Sequence, residues 1–349
     1  MEGMNIIFLI IIFVAASAVT WFAGIALTKT TDSLDTRFKL GDALGGLILL
    51  GIAGSLPELA IVSSAAIRGD IPVIIGNLLG GIAFQTLVIV IFDFAIKGKK
   101  PLSYLAGSVE LLFEALFAIV LTLLAVAGAF VPAAKSFLHL NPFSIIIVIA
   151  WVAGLFIINK ARENPRLAVS VEDAAPGRSR RERRKTENHP FYAKKSTLHV
   201  VLIFAAASIA TLAAGVLLEE SGVAIANHFG IGTGIFAATA LALVTSLPEI
   251  STGLESIFIG DNHLAISDIL GGNAFMLVIF LIADILAKKP VLSYADHQTI
   301  FLGDLGVALM AIYGVAFIFK LKKRHLRLGW DSVLEILVYA AGIFLLFKI

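Results

Sequence analysis

The chain has 349 residues, of which 58% are apolar and 15% are charged, and its net charge is +2. Soluble domains average about 45–50% apolar and about 25% charged residues, so this composition excludes an ordinary soluble protein and indicates a membrane protein. The absence of cysteine excludes disulfides, thiolate metal sites and cysteine nucleophiles.

Ten apolar segments are long enough to cross a bilayer as helices, since a crossing takes about 20 residues. In chain order they are residues 5–27, 41–66, 71–96, 107–131, 142–159, 197–218, 231–257, 264–287, 299–319 and 331–348. The strict alternation of a membrane β-barrel is absent from the sequence. We therefore predict an all-α polytopic protein with about ten transmembrane helices, located in an inner or plasma membrane.

Lysine and arginine are distributed unequally between the two predicted sides of this membrane. One side holds 22 of the 27, with eleven in residues 160–196, five in 320–327, and the others at Lys29, Arg37, Lys39, Lys97, Lys99 and Lys100. The opposite side holds Arg68, Lys135, Lys288, Lys289 and Lys348. Because cytoplasmic loops are rich in basic residues, we predict that both termini lie outside and that the 160–196 loop is cytoplasmic.

The hydrophilic loop divides the chain nearly in half. Its cluster RSRRERRK is interpreted as part of a linker that fixes topology, with contact to anionic lipid as the alternative. No other basic surface with readout groups is present, so no nucleic-acid partner is expected. The predicted organisation is a first repeat over 1–159, the basic loop over 160–196, and a second repeat over 197–349.

The two halves carry the same motif 191 residues apart. GSLPEL at 54–59 corresponds to TSLPEI at 245–250, and identical Gly, Asp, Leu, Ala and Phe residues continue the match to Phe84 and Phe275. Five spans are an odd number, so the second copy is predicted to have the inverted orientation. Inverted repeats are typical of secondary transporters, which bind substrate near the midplane where the repeats meet.

Each motif places a proline and a glutamate inside an apolar span. The proline removes a backbone donor and frees the carbonyl group four residues earlier. Helical spacing places Ser55 on the same face as Glu58, and Ser246 and Thr245 on the same face as Glu249. Two carboxylates with several hydroxyl and carbonyl oxygens predict a site for calcium or sodium.

A structural role for the two glutamates is the alternative. An ionised carboxylate at the bilayer centre costs about 3 kcal/mol or more, and no lysine or arginine falls deep enough in a span to pair with it. A glutamate that stays protonated within the packing would avoid this cost. Asn77 and Asp268, at equivalent positions, are possible secondary ligands, supporting partners or helix caps. The other acidic residues near span ends are expected to face water: Asp93, Glu110, Glu114, Asp284 and Asp304.

The sequence resembles the cation/calcium antiporter superfamily, and the sodium–calcium exchanger type in particular. The two α-repeats of this family carry G-T-S-L-P-E and, further on, G-N-x-x-G-S-N, which read here "AGSLPEL … IGNLLGGIAF" and "VTSLPEI … ISDILGGNAF". The resemblance implies that Glu58 and Glu249 coordinate calcium. It also implies that three hydroxyl side chains supply oxygens to calcium or sodium: Ser55, Thr245 and Ser246.

Several positions depart from the family pattern. Gly54 replaces a threonine, and Gly81 and Gly272 stand where the family has serine ligands. Gln85 and Met276 lie where many members place a further Asn or Asp. Gln85 still offers an amide oxygen as a possible secondary ligand, whereas a thioether is a poor ligand for hard cations. Fewer neutral oxygens weaken the binding of several sodium ions most, which leaves proton coupling open, as well as magnesium or manganese as the transported ion.

We therefore predict a secondary antiporter that exchanges calcium, or a related cation, against sodium or protons by alternating access. It is expected to be no enzyme, to need no cofactor, and to have inorganic cations and the bilayer as partners, with a monomer plausible. The alternatives are a proton-coupled transporter of another divalent cation and a transport-inactive or channel-like homologue. An intramembrane hydrolase is disfavoured because the seven histidines fall in loops or at span ends.

Overall fold

The computed structural model describes residues 1, 4–38, 50–96, 98, 100–162, 192, 195–325 and 327–349. The predicted 160–196 loop lies mostly outside the described residues, and so does the first part of the predicted second span. The described protein is mostly helical, as predicted from the sequence.

In the described part of the chain, seven helices precede the loop and eight follow it. The first seven are α1 (Ile6–Phe38), α2 (Leu50–Gly54), α3 (Leu56–Arg68), α4 (Ile71–Ala95), α5 (Leu102–Ala106), α6 (Val109–Ala129) and α7 (Pro142–Arg162). The other eight are α8 (Thr197–Phe229), α9 (Thr233–Phe236), α10 (Ala242–Thr245), α11 (Leu247–Phe258), α12 (Asn262–Met276), α13 (Ile279–Ala287), α14 (His297–Phe319) and α15 (Trp330–Leu346). A π-helical turn, Ala237–Leu241, joins α9 to α10. One short antiparallel hairpin, β1 (Arg324–His325) with β2 (Leu328–Gly329), departs from the all-α prediction.

Within the described ranges, six helical segments are long and apolar enough to cross a membrane. They are Ile6–Thr31, Ile71–Ala95, Val109–Ala129, Thr197–Phe229, Asn262–Ala287 and His297–Phe319. A seventh results if Thr233–Thr245 and Leu247–Phe258, which bend by 41°, count as one span. These segments confirm a multi-pass membrane protein, while the ten spans and the two inverted repeats stay predictions.

Both SLPE motifs interrupt their helices at the serine. Ser55 separates α2 from α3, and Ser246 separates α10 from α11. The proline falls in the first turn of the new helix. An N–H group at this position would have no acceptor within the helix, so the proline costs no helical hydrogen bond there. The glutamate of each motif therefore also lies in a first turn, where the positive end of the helix dipole favours negative charge.

Helix α4 lies at the centre of the described bundle, and α1 and α8 lie together at its edge. The apolar core surrounds α4 with residues from α3, α6, α12 and α14. Helices α1 and α8 each have 33 residues and pack against each other. Their outer faces expose large apolar side chains such as Phe22 and Ile209, as lipid contact requires.

Two glycines bring α1 and α8 against the prolines of the motifs. A Cβ at Gly24 would lie 2.5 Å from Cβ of Pro248, and a Cβ at Gly215 would lie 3.0 Å from the carbonyl oxygen of Pro57. Gly24 and Gly215 are 191 residues apart, as are the two prolines. Each half therefore packs a glycine on the proline of the other half, a reciprocity that supports the predicted duplication.

Asp93, near the end of α4, binds the polypeptide at the start of α15. Its Oδ2 accepts hydrogen bonds from the N–H of Gly329 at 2.6 Å and the hydroxyl of Ser332 at 2.8 Å. Its Oδ1 accepts one from the N–H of Leu102 at 2.7 Å. Asp93 is buried. The expectation that this residue faces water is therefore wrong.

Asp284, in the second half, binds the polypeptide at the start of α7 in the same way. It accepts hydrogen bonds from the N–H groups of Val291 at 2.7 Å and Asn141 at 2.8 Å, and Ser144 lies beside it. Its burial contradicts the expectation of water contact. Asp93 and Asp284 thus each tie a span of their own half to the start of the last helix of the other half.

We predict that Gly80→Ala destabilises the protein and that Gly271→Ala, at the equivalent position, does not. A Cβ at Gly80 would lie 2.4 Å from Cα of Ala238 in the π-helical turn, whereas a Cβ at Gly271 would meet nothing within 4 Å. Overpacking of this kind costs about 1–3 kcal/mol. The thermal unfolding midpoint of the purified variants in detergent measures it. Equal midpoints would show that α4 does not approach the turn so closely.

Candidate functional site

The carboxylates of Glu58 and Glu249 meet where the two helix breaks face each other. Glu58 is fully buried, whereas Glu249 is half-buried with its Oε2 enclosed. The two groups are close enough to repel each other. Thr245 lies beside the Glu58 carboxylate, and Oε1 of Glu249 lies 3.7 Å from where a Cβ of Gly54 would be. Each glutamate therefore faces the helix break of the other motif.

The predicted hydroxyl ligands lie at these breaks and are buried. The Ser246 hydroxyl donates to the carbonyl oxygen of Ala242 at 2.7 Å, and that of Thr245 donates to the same carbonyl at 3.3 Å. A hydroxyl that donates its proton to the backbone keeps its oxygen lone pairs for a cation. Ser55 is buried at the first break. The structure thus places Thr245 beside the Glu58 carboxylate and buries Ser55 and Ser246 at the helix breaks that precede the two glutamates.

Gln85 of α4 reaches the site directly. Its Nε2 donates to Oε1 of Glu58 at 3.3 Å, and its Oε1 lies 3.6 Å from where a Cβ of Gly272 would be. The amide therefore holds Glu58 through its nitrogen and keeps its oxygen available. Its role as a secondary ligand stays a prediction.

Met276 takes the place of a polar group on the opposite side of the site. It is fully buried, and its methyl carbon lies 2.5 Å from where a Cβ of Gly81 would be. The thioether therefore occupies the volume into which a serine at position 81 would project. Gly81 with Met276 and Gly272 with Gln85 are equivalent pairs in the two halves, so one side of the site is apolar and the other is polar.

The equivalent residues Asn77 and Asp268 differ in their surroundings. Asn77 is fully buried, and neither atom of its amide has a hydrogen-bond partner in the described part of the chain. Asp268 is half-buried, repels Glu249, and accepts a hydrogen bond from Thr252 at 3.3 Å. The structure therefore brings Asp268 to the site, and Asn77 is enclosed in α4.

Three polar residues of this region were missed by the sequence analysis. Thr252 lies three residues after Glu249, so the helical spacing used for Ser55 and Ser246 also identifies it. Asn273 donates to the hydroxyl of Thr86 at 3.0 Å, and both side chains are fully buried. Their signal is the presence of an amide and a hydroxyl within otherwise apolar helices.

Several enclosed oxygens of the site have no hydrogen-bond partner among the described residues. They are Oε2 of Glu58, Oε2 of Glu249, Oε1 of Gln85 and Oδ1 of Asn273. Buried polar atoms are normally paired, so such a group of oxygens indicates a ligand. Carboxylate and amide oxygens are the donors that hard cations prefer. Over the described ranges no three His, Cys, Asp or Glu side chains converge as a metal cluster.

The sequence pattern of the family described as "Sodium/calcium exchanger protein" matches residues 8–159 and 199–348, which include both motifs. The chain belongs to this exchanger family. The predicted resemblance is confirmed, and the family is one of cation antiporters rather than enzymes.

This exchanger is similar to several known proteins. It is 24% identical over 286 residues to the protein named "Putative antiporter CaxA" from Alkalimonas amylolytica, covering 80% of this chain and 82% of that protein. Among solved structures, the H+/Ca2+ exchanger CAX has a TM-score of 0.66 at 14% identity, with 97% of this chain and 88% of that chain covered. A structure of the sodium-calcium exchanger NCX_Mj has a TM-score of 0.59 at 15% identity, covering 96% and 97%. These structural similarities show a shared fold.

Proposed function

We propose that the protein is a secondary antiporter that exchanges calcium, or a related divalent cation, against protons by alternating access. The observation that carries this proposal is the pair Glu58 and Glu249, which come from two helix breaks and have enclosed, unpartnered oxygens. Neither glutamate forms an ion pair within the described residues. Their charge therefore has to be balanced by what the site binds.

Charge balance favours a divalent cation and two protons as alternative occupants. One divalent cation neutralises two carboxylates, and so do two protons. An uncompensated charge is costly in the membrane. The protein therefore changes readily between its two access states only when the site holds the divalent cation or two protons. Exchange of one divalent cation for two protons follows from this restriction.

The loss of neutral oxygens argues against coupling to several sodium ions. Each sodium needs its own oxygen ligands, and Gly54, Gly81, Gly272 and Met276 supply none through their side chains. Sodium is the second candidate because the hydroxyl groups of both SLPE motifs remain. The family resemblance alone would predict sodium as the coupling ion.

We further propose that the two halves are inverted repeats, over 1–159 and 197–349, joined by a cytoplasmic loop over 160–196, with both termini outside. The unequal distribution of basic residues supports this orientation. The reciprocal contacts of Gly24 and Gly215, and those of Asp93 and Asp284, support the duplication.

Radioactive calcium uptake into proteoliposomes tests the proposed exchange. One set of vesicles has an outward proton gradient and a second set has an outward sodium gradient. We expect the proton gradient alone to drive uptake above the level of vesicles without a gradient. Uptake driven by sodium alone would transfer the coupling to the second candidate. Uptake driven by neither gradient would contradict calcium antiport, and competition by magnesium or manganese would then identify the transported ion.

A further inference from the structure

A second pair of buried carboxylates lies at the start of α15. Asp331 and Glu335 are four residues apart and therefore share one face of this helix. Their side chains are 1% and 0% exposed, and the four-residue spacing makes them neighbours close enough to repel each other when ionised. The phenol of Tyr313, on α14, faces both carboxylates and is fully buried.

The polar atoms of this cluster lack partners. Both oxygens of Glu335 make no hydrogen bond with any described residue. Ser103 lies beside the Asp331 carboxylate and Ser332 lies beside the Tyr313 hydroxyl, in neither case with the geometry of a hydrogen bond. Asp331 has a structural explanation in its place in the first turn of α15, where the helix dipole favours a carboxylate. Glu335 lies a turn deeper, and the dipole effect is weak there. Glu335 and Tyr313 are thus enclosed polar groups to which the described part of the chain gives no hydrogen-bond partner.

The neighbouring arginine does not balance these charges. The Arg324 guanidinium lies 3.8 Å from Oδ1 of Asp93 and donates to the carbonyl oxygens of Asp93, Gly98 and Arg327. Both oxygens of Asp93 already accept hydrogen bonds, and the one carboxylate that the Arg324 guanidinium contacts among the described residues is that of Asp93. Over the described ranges neither Asp331 nor Glu335 forms an ion pair. The described part of the chain therefore supplies no cation to these two carboxyl groups.

The acidic pair is specific to the second half of the chain. Ser332 and Ser144 play equivalent parts beside Asp93 and Asp284. The same register aligns Asp331 with Phe143 and Glu335 with Ile147, which are apolar. The first half thus forms the start of its last helix without these carboxylates, and Glu335 in particular is not explained by its position in the helix.

The cluster is also separate from the site of Glu58 and Glu249. Asp93, which borders it, lies eight residues beyond Gln85 on α4, or about 12 Å along the helix axis. A cation bound at Glu335 would therefore have different ligands from one bound at Glu58.

We propose that Asp331 and Glu335, together with the hydroxyl groups of Tyr313 and Ser103, form a second cation site that takes a hard divalent cation such as calcium. Ser103 lies beside the Asp331 carboxylate and completes a set of oxygen donors. Two carboxylates balance one divalent cation, and oxygen ligands suit calcium. This site goes beyond the proposed antiport, because it lies outside the exchanging pair.

Calcium binding to a transport-deficient protein tests the second site. The double variant Glu58→Gln, Glu249→Gln is purified in detergent, and binding of radioactive calcium alone is measured by equilibrium dialysis. We expect one saturable calcium per chain to remain. Adding Glu335→Gln should abolish this binding, and Tyr313→Phe should weaken it about tenfold. Adding Asp304→Asn, an exposed acid on the same helix as Tyr313, should leave it unchanged.

The outcomes separate the second site from the transport proposal. Absence of saturable binding in the double variant, as a protonated Asp331–Glu335 pair would give, overturns the second site. Residual binding that survives Glu335→Gln overturns it as well. Tyr313→Phe serves as the informative variant if Glu335→Gln does not elute as a single species. Because the assay requires no transport, failure of calcium antiport would leave a positive binding result standing.

Discussion

Glu58→Gln and Glu249→Gln are each expected to reduce calcium uptake by about 100-fold or more. The change keeps the size and the amide oxygen of the side chain but leaves a divalent cation with a single carboxylate. Removal of one charge from a buried charged group costs about 3–5 kcal/mol, and about 2.7 kcal/mol already corresponds to 100-fold. The initial rate of radioactive calcium uptake into proteoliposomes, at equal protein content, measures the effect.

The matched control for these variants is Glu255→Gln on the same helix as Glu249. Its side chain is 56% exposed and lies 3.8 Å from the Lys29 ammonium, and exposed ion pairs contribute little. Uptake by Glu255→Gln should therefore stay close to that of the wild type. Undiminished uptake by either Glu58→Gln or Glu249→Gln would remove that glutamate from the cation site.

Asp93→Ala is expected to destabilise the protein more than Gly80→Ala does. It leaves the N–H groups of Leu102 and Gly329 and the hydroxyl of Ser332 without their acceptor, and it leaves Arg324 without its carboxylate. Each unpaired buried group costs about 1–3 kcal/mol, and loss of one partner of a buried ion pair costs about 3–5 kcal/mol. A large fall in the thermal midpoint in detergent, or loss of the monodisperse species, should result.

Asp304→Asn supplies the comparison for this variant, since Asp304 is exposed and its loss should barely change the midpoint. Asp93→Asn should lie between the two, because its amide keeps one acceptor oxygen. A midpoint of Asp93→Ala equal to that of Asp304→Asn would show that the bonds to α15 do not stabilise the fold.

The local features of the site could be predicted from the sequence because they depend on neighbouring residues. Pro57 and Pro248 break their helices whatever the tertiary structure around them. Helical spacing alone places Ser55 and Ser246 on the same face as the glutamates. The duplicated motif added the expectation that the two breaks meet. The structure accordingly places Glu58 near Glu249.

Contacts between distant segments could not be predicted in this way. Asp93 and Asp284 lie near the ends of apolar segments, a position that suits water as well as a buried hydrogen-bonded cap. Gly80 and Gly271 are identical in the motif, yet only Gly80 meets the backbone of another helix. The π-helical turn that it meets has no periodicity signal, because one extra residue in a turn hardly changes an apolar run.

The exchange of helix caps between the halves bears on how such a chain could have arisen. A single half would lack the partner that this structure shows, because each buried aspartate bonds the start of the last helix of the other half. If two copies associated in opposite orientations, the aspartate of each copy would bond the start of the last helix of the other copy. These contacts would favour an antiparallel dimer over the isolated polypeptide. Fusion of the two copies would then preserve contacts that the separate copies already made. After fusion, a substitution at either aspartate would affect the stability of both halves.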